Sequence, residues 1–160
     1  MDDFAHLLVG YAIWRIARLA GIETAGYASL AAALLGSVIP DILWPWGVLS
    51  YAATHTLTYY IVLAIPFLIY KKSRVAAALF LMAVAAHVII DMPMHEATYT
   101  PLAPVINWQV SGTFNYWTSA SFMIGYWIAV LALVGATFLY EWKLTGRATL
   151  GCNAGKKAEA

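Results

Sequence analysis

Apolar and polar positions in this chain segregate into long blocks rather than alternating at short period. Five blocks run apolar for close to a membrane thickness: Phe4 to Ala20, Ala25 to Trp46, Ala52 to Tyr70, Val75 to Met92 and Trp117 to Trp142. A membrane-crossing helix needs about 20 mostly apolar residues, within a range of roughly 17 to 25. The third and fifth blocks meet that rule cleanly. The fourth does so until Pro93, which is expected to end or kink it. The second contains Pro40, so its regular part is expected to stop near Ile39. The first is short, carries Arg15 and Arg18, and reads either as a tilted span or as an interfacial helix. The pattern predicts an all-α fold, an integral membrane helical bundle of about five transmembrane helices. Residues 1–146 form its single domain, with 93–116 as an extracytoplasmic surface loop, and 147–160 form a polar tail.

Charge gives this bundle a direction. The nine Lys and Arg residues are Arg15, Arg18, Lys71, Lys72, Arg74, Lys143, Arg147, Lys156 and Lys157. They fall at the end of the first block, between the third and fourth, and after the fifth, which five crossings place on one side. The positive-inside rule makes that side cytoplasmic. The expected topology is N-terminus out and C-terminus in, multi-pass in the cytoplasmic membrane. Trp44, Trp46, Trp108 and Trp117 are then expected at the outer interface, and Trp14, Tyr70, Tyr140 and Trp142 at the inner one.

Composition sharpens the picture. The chain is 62% hydrophobic and only 11% charged, against about 25% charged in soluble domains. A net charge of +1, with no basic patch interleaved with aromatics, argues against nucleic acid as a partner. The single cysteine, Cys152 in the tail, excludes an internal disulfide and a thiolate metal site. The opening "MDDF" lacks the basic start of a signal peptide, so the first apolar block is expected to be retained.

The scarce ionisable residues then fall at one level. The four histidines are His6, His55, His87 and His95. His6 and His55 begin the first and third blocks at their outer ends, and Asp41 follows Pro40 at the outer end of the second. His87, Asp91 and His95 share the stretch "AAHVIIDMPMHE" at the outer end of the fourth. His87 and Asp91 stand at i and i+4, on one helix face. An acid at the membrane centre costs about 2.5–3.5 kcal/mol on insertion scales, and no Lys or Arg lies on this side to pair with it. A metal cation is the natural counter-charge, and imidazole with carboxylate suits zinc, manganese or iron. Each residue alone has a plainer reading: an interfacial His6, a turn-forming Asp41, a His55 bonded to its threonine neighbours, a His87–Asp91 ion pair. Four such coincidences at one depth weigh toward a shared polar site holding a divalent metal. Zinc is the first choice, as one ion or as two bridged by a carboxylate.

The motifs "FAHLLVGY", "GSVIPDIL", "ATHTLTYY" and "AHVIIDMPMHEATYTPLAPVINWQVSGTFNYW" resemble the family of small, membrane-bound, predicted metal-dependent hydrolases. The match to its longer form runs through His87, Asp91, Pro93, His95, Pro104, Gly112 and Trp117. The sequence departs from the family pattern in two motifs: Leu43 stands in place of a second acid, and Ser50 and Tyr51 in place of His and Arg. The resemblance implies metal-assisted hydrolysis.

The expected function is that of a membrane-embedded metal-dependent hydrolase at the outer face, acting on a lipid-like phosphoester. The expected ligands are His6, Asp41, His55, His87, Asp91 and His95, with Glu96 the candidate general base because it neighbours His95. The alternative is a non-enzymatic small subunit of a larger membrane complex, with a structural or vestigial metal site. A histidine-box di-iron oxidase needs about eight histidines, twice the number here. A proton or ion pathway is set aside because no ionisable residue is read toward the inner face of the last three blocks. Finally, the loop Met94 to Tyr116 is apolar and aromatic. It is expected to cover the site as a lid, with Trp108 toward the headgroups and Gly112 as a hinge.

Overall fold

The computed structural model describes residues 3–22, 26–43, 50–113, 115–116 and 118–146. In chain order these form α1 (Asp3–Leu19), α2 (Gly26–Leu43), α3 (Tyr51–Thr54), α4 (Leu57–Ile69), α5 (Arg74–Met94), β1 (Thr98–Tyr99), β2 (Val110–Ser111) and α6 (Ala120–Thr145). The two short strands pair antiparallel, Thr98 opposite Ser111. Trp44, Trp46, Phe114, Trp117 and the tail 147–160 lie outside the described residues, so the expectations for them stay as stated.

Small residues let the helices approach closely. Gly36 of α2 faces the Phe80 carbonyl of α5 at a distance no Cβ would tolerate. Trp14, Ala17, Ala33 and Leu79 form one buried cluster among α1, α2 and α5, and Tyr60, Val84 and Val88 another between α4 and α5. Trp14 is therefore a core residue, 1% exposed, with its Nε1–H donating to Ser29 Oγ, and not an interfacial anchor. Packing against Ala17 and Ala33 gives its ring more buried apolar contact than a helix end offers.

The helix boundaries correct two expectations and meet a third. α2 continues one turn past Ile39 to Leu43 with Pro40 inside it; a proline removes only its own bond to the carbonyl four residues back, and the helix tolerates that loss near its end. α5 ends at Met94, one residue past Pro93, in keeping with the stop expected there. The third apolar block is two helices rather than one, parted at His55 and Thr56. Here side chains and the loop compete for the helix bonds. His55 Nδ1 meets the Tyr51 carbonyl, Thr56 Oγ1 bonds the carbonyls of Ala52 and Thr100, and Leu57 N–H donates to the Pro101 carbonyl.

Successive long helices traverse the bundle in alternating directions, and α1 and α6 run parallel. The His6 ring lies 6.4 Å from that of Tyr126, Arg15 meets Thr137, and Arg18 meets Glu141. The last of these contacts was not anticipated, because Glu141 was not read as an ionisable residue of the final block. Arg15 is fully buried; its Nε–H donates to Thr137 Oγ1 at 2.8 Å and its Nη2 to Glu141 Oε2 at 2.8 Å. Arg18 Nη2 takes the other carboxylate oxygen at 2.5 Å, and the Phe138 ring stacks 3.7 Å from the Arg15 guanidinium carbon.

The exterior is apolar. Leu63 is 67% exposed on α4 and Leu139 is 65% exposed on α6. Four stretches are long and apolar enough to cross a membrane: 26–43, 51–69, 74–94 and 120–145. α1, at 17 residues, is shorter than these.

Removing one partner of a buried ion pair costs about 3–5 kcal/mol, because the other charge stays buried and uncompensated. Glu141→Ala should therefore lower the thermal unfolding temperature of the detergent-solubilised protein well beyond the change caused by Glu96→Ala, at an exposed position. Equal melting of the two variants would show that the Arg15–Glu141–Arg18 group does not hold α6 to α1.

Candidate metal centre

The alternation of helix direction brings the ends of four elements together. His6 sits in the first turns of α1, Asp41 in the last turn of α2, His55 at the end of α3, and His87 and Asp91 in the last turns of α5, with His95 just beyond. His6, Asp41, His55, His87 and Asp91 are all buried to within 2% exposure, while the His95 side chain is 20% exposed.

Asp91 is the hub. Its Oδ1 lies 3.1 Å from His6 Nε2, and its Oδ2 lies 3.4 Å from both His55 Nε2 and His87 Nε2 and 3.7 Å from His95 Nε2. Asp41 approaches the same imidazoles from α2, with Oδ1 3.6 Å from His55 Nε2 and Oδ2 3.4 Å from His87 Nε2. One donor atom each from His6, Asp41, His87 and Asp91 falls within a 4.8 Å span.

The proton inventory explains what this cluster needs. His87 Nδ1 meets the Ser37 carbonyl at 2.7 Å and His55 Nδ1 the Tyr51 carbonyl at 2.9 Å. A carbonyl only accepts, so both Nδ1 atoms carry hydrogen; with Nε2 deprotonated, as metal ligation requires, the Nε2 lone pair of each ring faces inward. Those two Nε2 atoms are 3.3 Å apart. Two lone pairs and two carboxylates thus face one point. Both Asp41 oxygens, Asp91 Oδ1 and His6 Nδ1 are buried without a hydrogen-bond partner, which is unusual for buried polar atoms. Burial also holds the His95 imidazole below its ordinary pKa, leaving that ring neutral. No Lys or Arg joins the cluster among the described residues.

A zinc ion fits this donor set. Zinc takes imidazole nitrogen and carboxylate oxygen at about 2.0–2.2 Å in tetrahedral array, which places its ligand atoms roughly 3.3–3.5 Å from one another. The triangle of His55 Nε2, His87 Nε2 and Asp91 Oδ2 has edges of 3.3, 3.4 and 3.4 Å. The Ser37 and Tyr51 carbonyls on the Nδ1 atoms are the usual means of fixing the tautomer of a ligating histidine.

Among the residues expected from sequence, all six proposed ligands meet. Glu96 does not join them: it is exposed, and no bond of the cluster reaches it. Two residues at the centre escaped the sequence reading. Tyr51 Oη stands 3.5 Å from Asp91 Oδ2 and 3.1 Å from Tyr99 Oη, and Tyr99 donates to the Asp91 carbonyl at 3.0 Å. Tyr51 was legible in principle, four residues before His55 on the same face. Tyr99 comes from the loop and carries no local signal. That loop is fastened to the end of α5, through Tyr99 on the Asp91 carbonyl and Tyr116 N–H on the Met94 carbonyl, and Gly112 is no hinge. Its Cα lies so close to the His95 carbonyl that a Cβ has no room, so glycine is required there for close approach. Trp108 is half exposed.

His87→Ala and Asp91→Asn should abolish stoichiometric zinc binding by elemental analysis of the purified protein. His95→Ala, removing the most peripheral ring, should retain zinc with about 10-fold weaker affinity. Full zinc content in Asp91→Asn would contradict a centre built on that carboxylate.

A family model described as zinc dependent phospholipase C matches residues 5–143, from just before His6 to just past Glu141. No curated protein and no solved structure matches the chain. The match agrees with the metal-dependent hydrolysis that the motifs imply. With that match running nearly the whole length of the chain, and with a donor set that suits zinc, this protein belongs to the zinc-dependent phospholipase C family.

Proposed function

We propose that this protein is a zinc-dependent phospholipid hydrolase of the cytoplasmic membrane, cleaving a lipid phosphodiester at the outer face. The observation that carries the reading is the inward-facing set of imidazole lone pairs and carboxylates at one end of an apolar bundle. Zinc held there supplies positive charge against a phosphoryl oxygen and activates water for attack. The chain's own contribution is a rigid, dry frame. The Ser37 and Tyr51 carbonyls fix two imidazole tautomers, Asp91 holds four rings in register, and Tyr99 fixes the Asp91 backbone. Asp41, with no hydrogen bond on either oxygen, is placed to take a proton from water; exposed Glu96 is not.

Three features support the membrane setting. Large apolar side chains cover the outside of α4 and α6. α5, at 21 residues, is about 30 Å long, the thickness of a hydrocarbon core. Every Lys and Arg belongs to the opposite end of the bundle or to the segments that follow it in sequence, which orients the centre outward under the positive-inside rule. At that level a phospholipid headgroup reaches the cluster while its chains stay in the bilayer.

The protein purified in micelles with phospholipid should release diacylglycerol and a phosphorylated headgroup. Chelation should abolish the reaction and added zinc restore it, with His87→Ala inactive under both conditions. A zinc-loaded wild type that leaves phospholipid intact would refute the activity. The orientation is checked separately in a Cys152→Ala background. An impermeant thiol reagent outside the cell should label Ser111→Cys and spare Lys72→Cys, and equal labelling would refute it.

A further inference from the structure

The centre itself holds two carboxylates, Asp41 and Asp91, and its end of the bundle has, among the described residues, no Lys or Arg to receive an anionic substrate. A phosphodiester bound there meets the metal's charge, but its remaining oxygens need hydrogen-bond donors. Enzymes of phosphoryl transfer commonly use Arg or Lys for this. Here the donor must be neutral, close to the ligands and reachable from outside.

Tyr51 meets those three conditions together. Its ring lies 4.0 Å from that of His55 and 6.1 Å from that of His95, so its hydroxyl sits beside the ligand atoms. The residue is half-buried, whereas His55, Asp91 and Tyr99 beside it are fully buried. Its hydrogen is also the movable one of the pair. Tyr99 spends its own hydrogen on the Asp91 carbonyl at 3.0 Å, so in the 3.1 Å contact between the two phenols Tyr51 is the donor. The alternative acceptor, Asp91 Oδ2, is farther at 3.5 Å. Rotation about a single C–O bond moves that hydrogen from Tyr99 to an incoming oxygen without displacing a heavy atom.

We infer that Tyr51 is a substrate-binding residue whose phenol donates a hydrogen bond to a non-bridging oxygen of a phosphate ester held at the centre. The inference rests on the phosphodiesterase reading for its substrate, but not for its geometry. It sets a class of substrate: a phosphate ester presented by a neutral donor and metal charge rather than by a cationic clamp. Tyr51 also holds His55 through its backbone carbonyl, and Tyr51→Phe leaves that bond in place.

The test compares wild type with Tyr51→Phe, both zinc-loaded, by three readouts. Zinc content should be equal. The dissociation constant for inorganic phosphate, by calorimetry, should rise about 10-fold or more, as expected for loss of a hydrogen bond to a charged group. Phospholipid turnover should fall about 100-fold in kcat, in line with loss of one preorganised donor. Unchanged phosphate affinity and kcat would overturn the inference. So would loss of zinc in Tyr51→Phe, because the phenol would then serve the ligands and not the substrate. Weaker phosphate binding with unchanged phospholipid turnover would overturn it as well, reducing the site to one for free phosphate. If wild type binds phosphate but does not hydrolyse phospholipid, the proposed function fails, and the phosphate affinities alone still decide whether Tyr51 is the donor.

Discussion

The architecture depends on a buried carboxylate that no Lys or Arg neutralises among the described residues. Asp91 is fully buried, with four imidazoles ranged around it and no Lys or Arg beside it among the described residues. An isolated charge in such surroundings is far too costly to maintain. His55 and His87, with their Nδ1 hydrogens committed to backbone carbonyls, offset it only by taking a second proton at Nε2. The Ser37 and Tyr51 carbonyls therefore matter as much as the rings they hold, because they turn two Nε2 lone pairs toward Asp91 and make the cluster a receptor for a cation. A second carboxylate, Asp41, deepens that demand.

The other end of the bundle meets the same constraint by the opposite means. Arg15 is buried as completely as Asp91, yet Glu141, Thr137 and Tyr11 satisfy it from α6 and from its own helix. This closed group ties α1 to α6 at one end and leaves the metal centre at the other. Since α1 and α6 run parallel, fixing Arg15 against Thr137 also sets the depth at which His6 meets Tyr126. One buried charge group is complete within the protein and the other is not, and the incomplete one is where the chemistry is expected.

The apolar blocks made the helices legible, because long apolar runs with few charges leave the backbone little alternative. The spacing of His87 and Asp91 fixed their shared face, and common depth along an alternating bundle brought His6, Asp41 and His55 toward them. What stayed hidden depended on contacts distant in sequence. The break at His55 and Thr56 is made by loop carbonyls at Thr100 and Pro101. Gly112 looked like a hinge because nothing local reveals that the His95 carbonyl lies against it. Trp14 looked interfacial because the pattern shows hydrophobicity but not the partners at Ala33 and Leu79. Glu141 was the most recoverable omission: two arginines three residues apart in an apolar helix call for an acid, and the final block holds one. Glu96, chosen for sequence adjacency to His95, shows the converse: it lies in the bend after α5 and its side chain is exposed.

X-ray absorption at the zinc edge, on the purified zinc-loaded protein, tests the centre most directly. The account predicts a shell of nitrogen and oxygen only, at about 2.0–2.2 Å, with the outer scattering of at least two imidazoles and no sulfur. A sulfur shell near 2.3 Å, which Cys152 alone in this chain would supply by thiolate, or a spectrum without imidazole scattering, would contradict it.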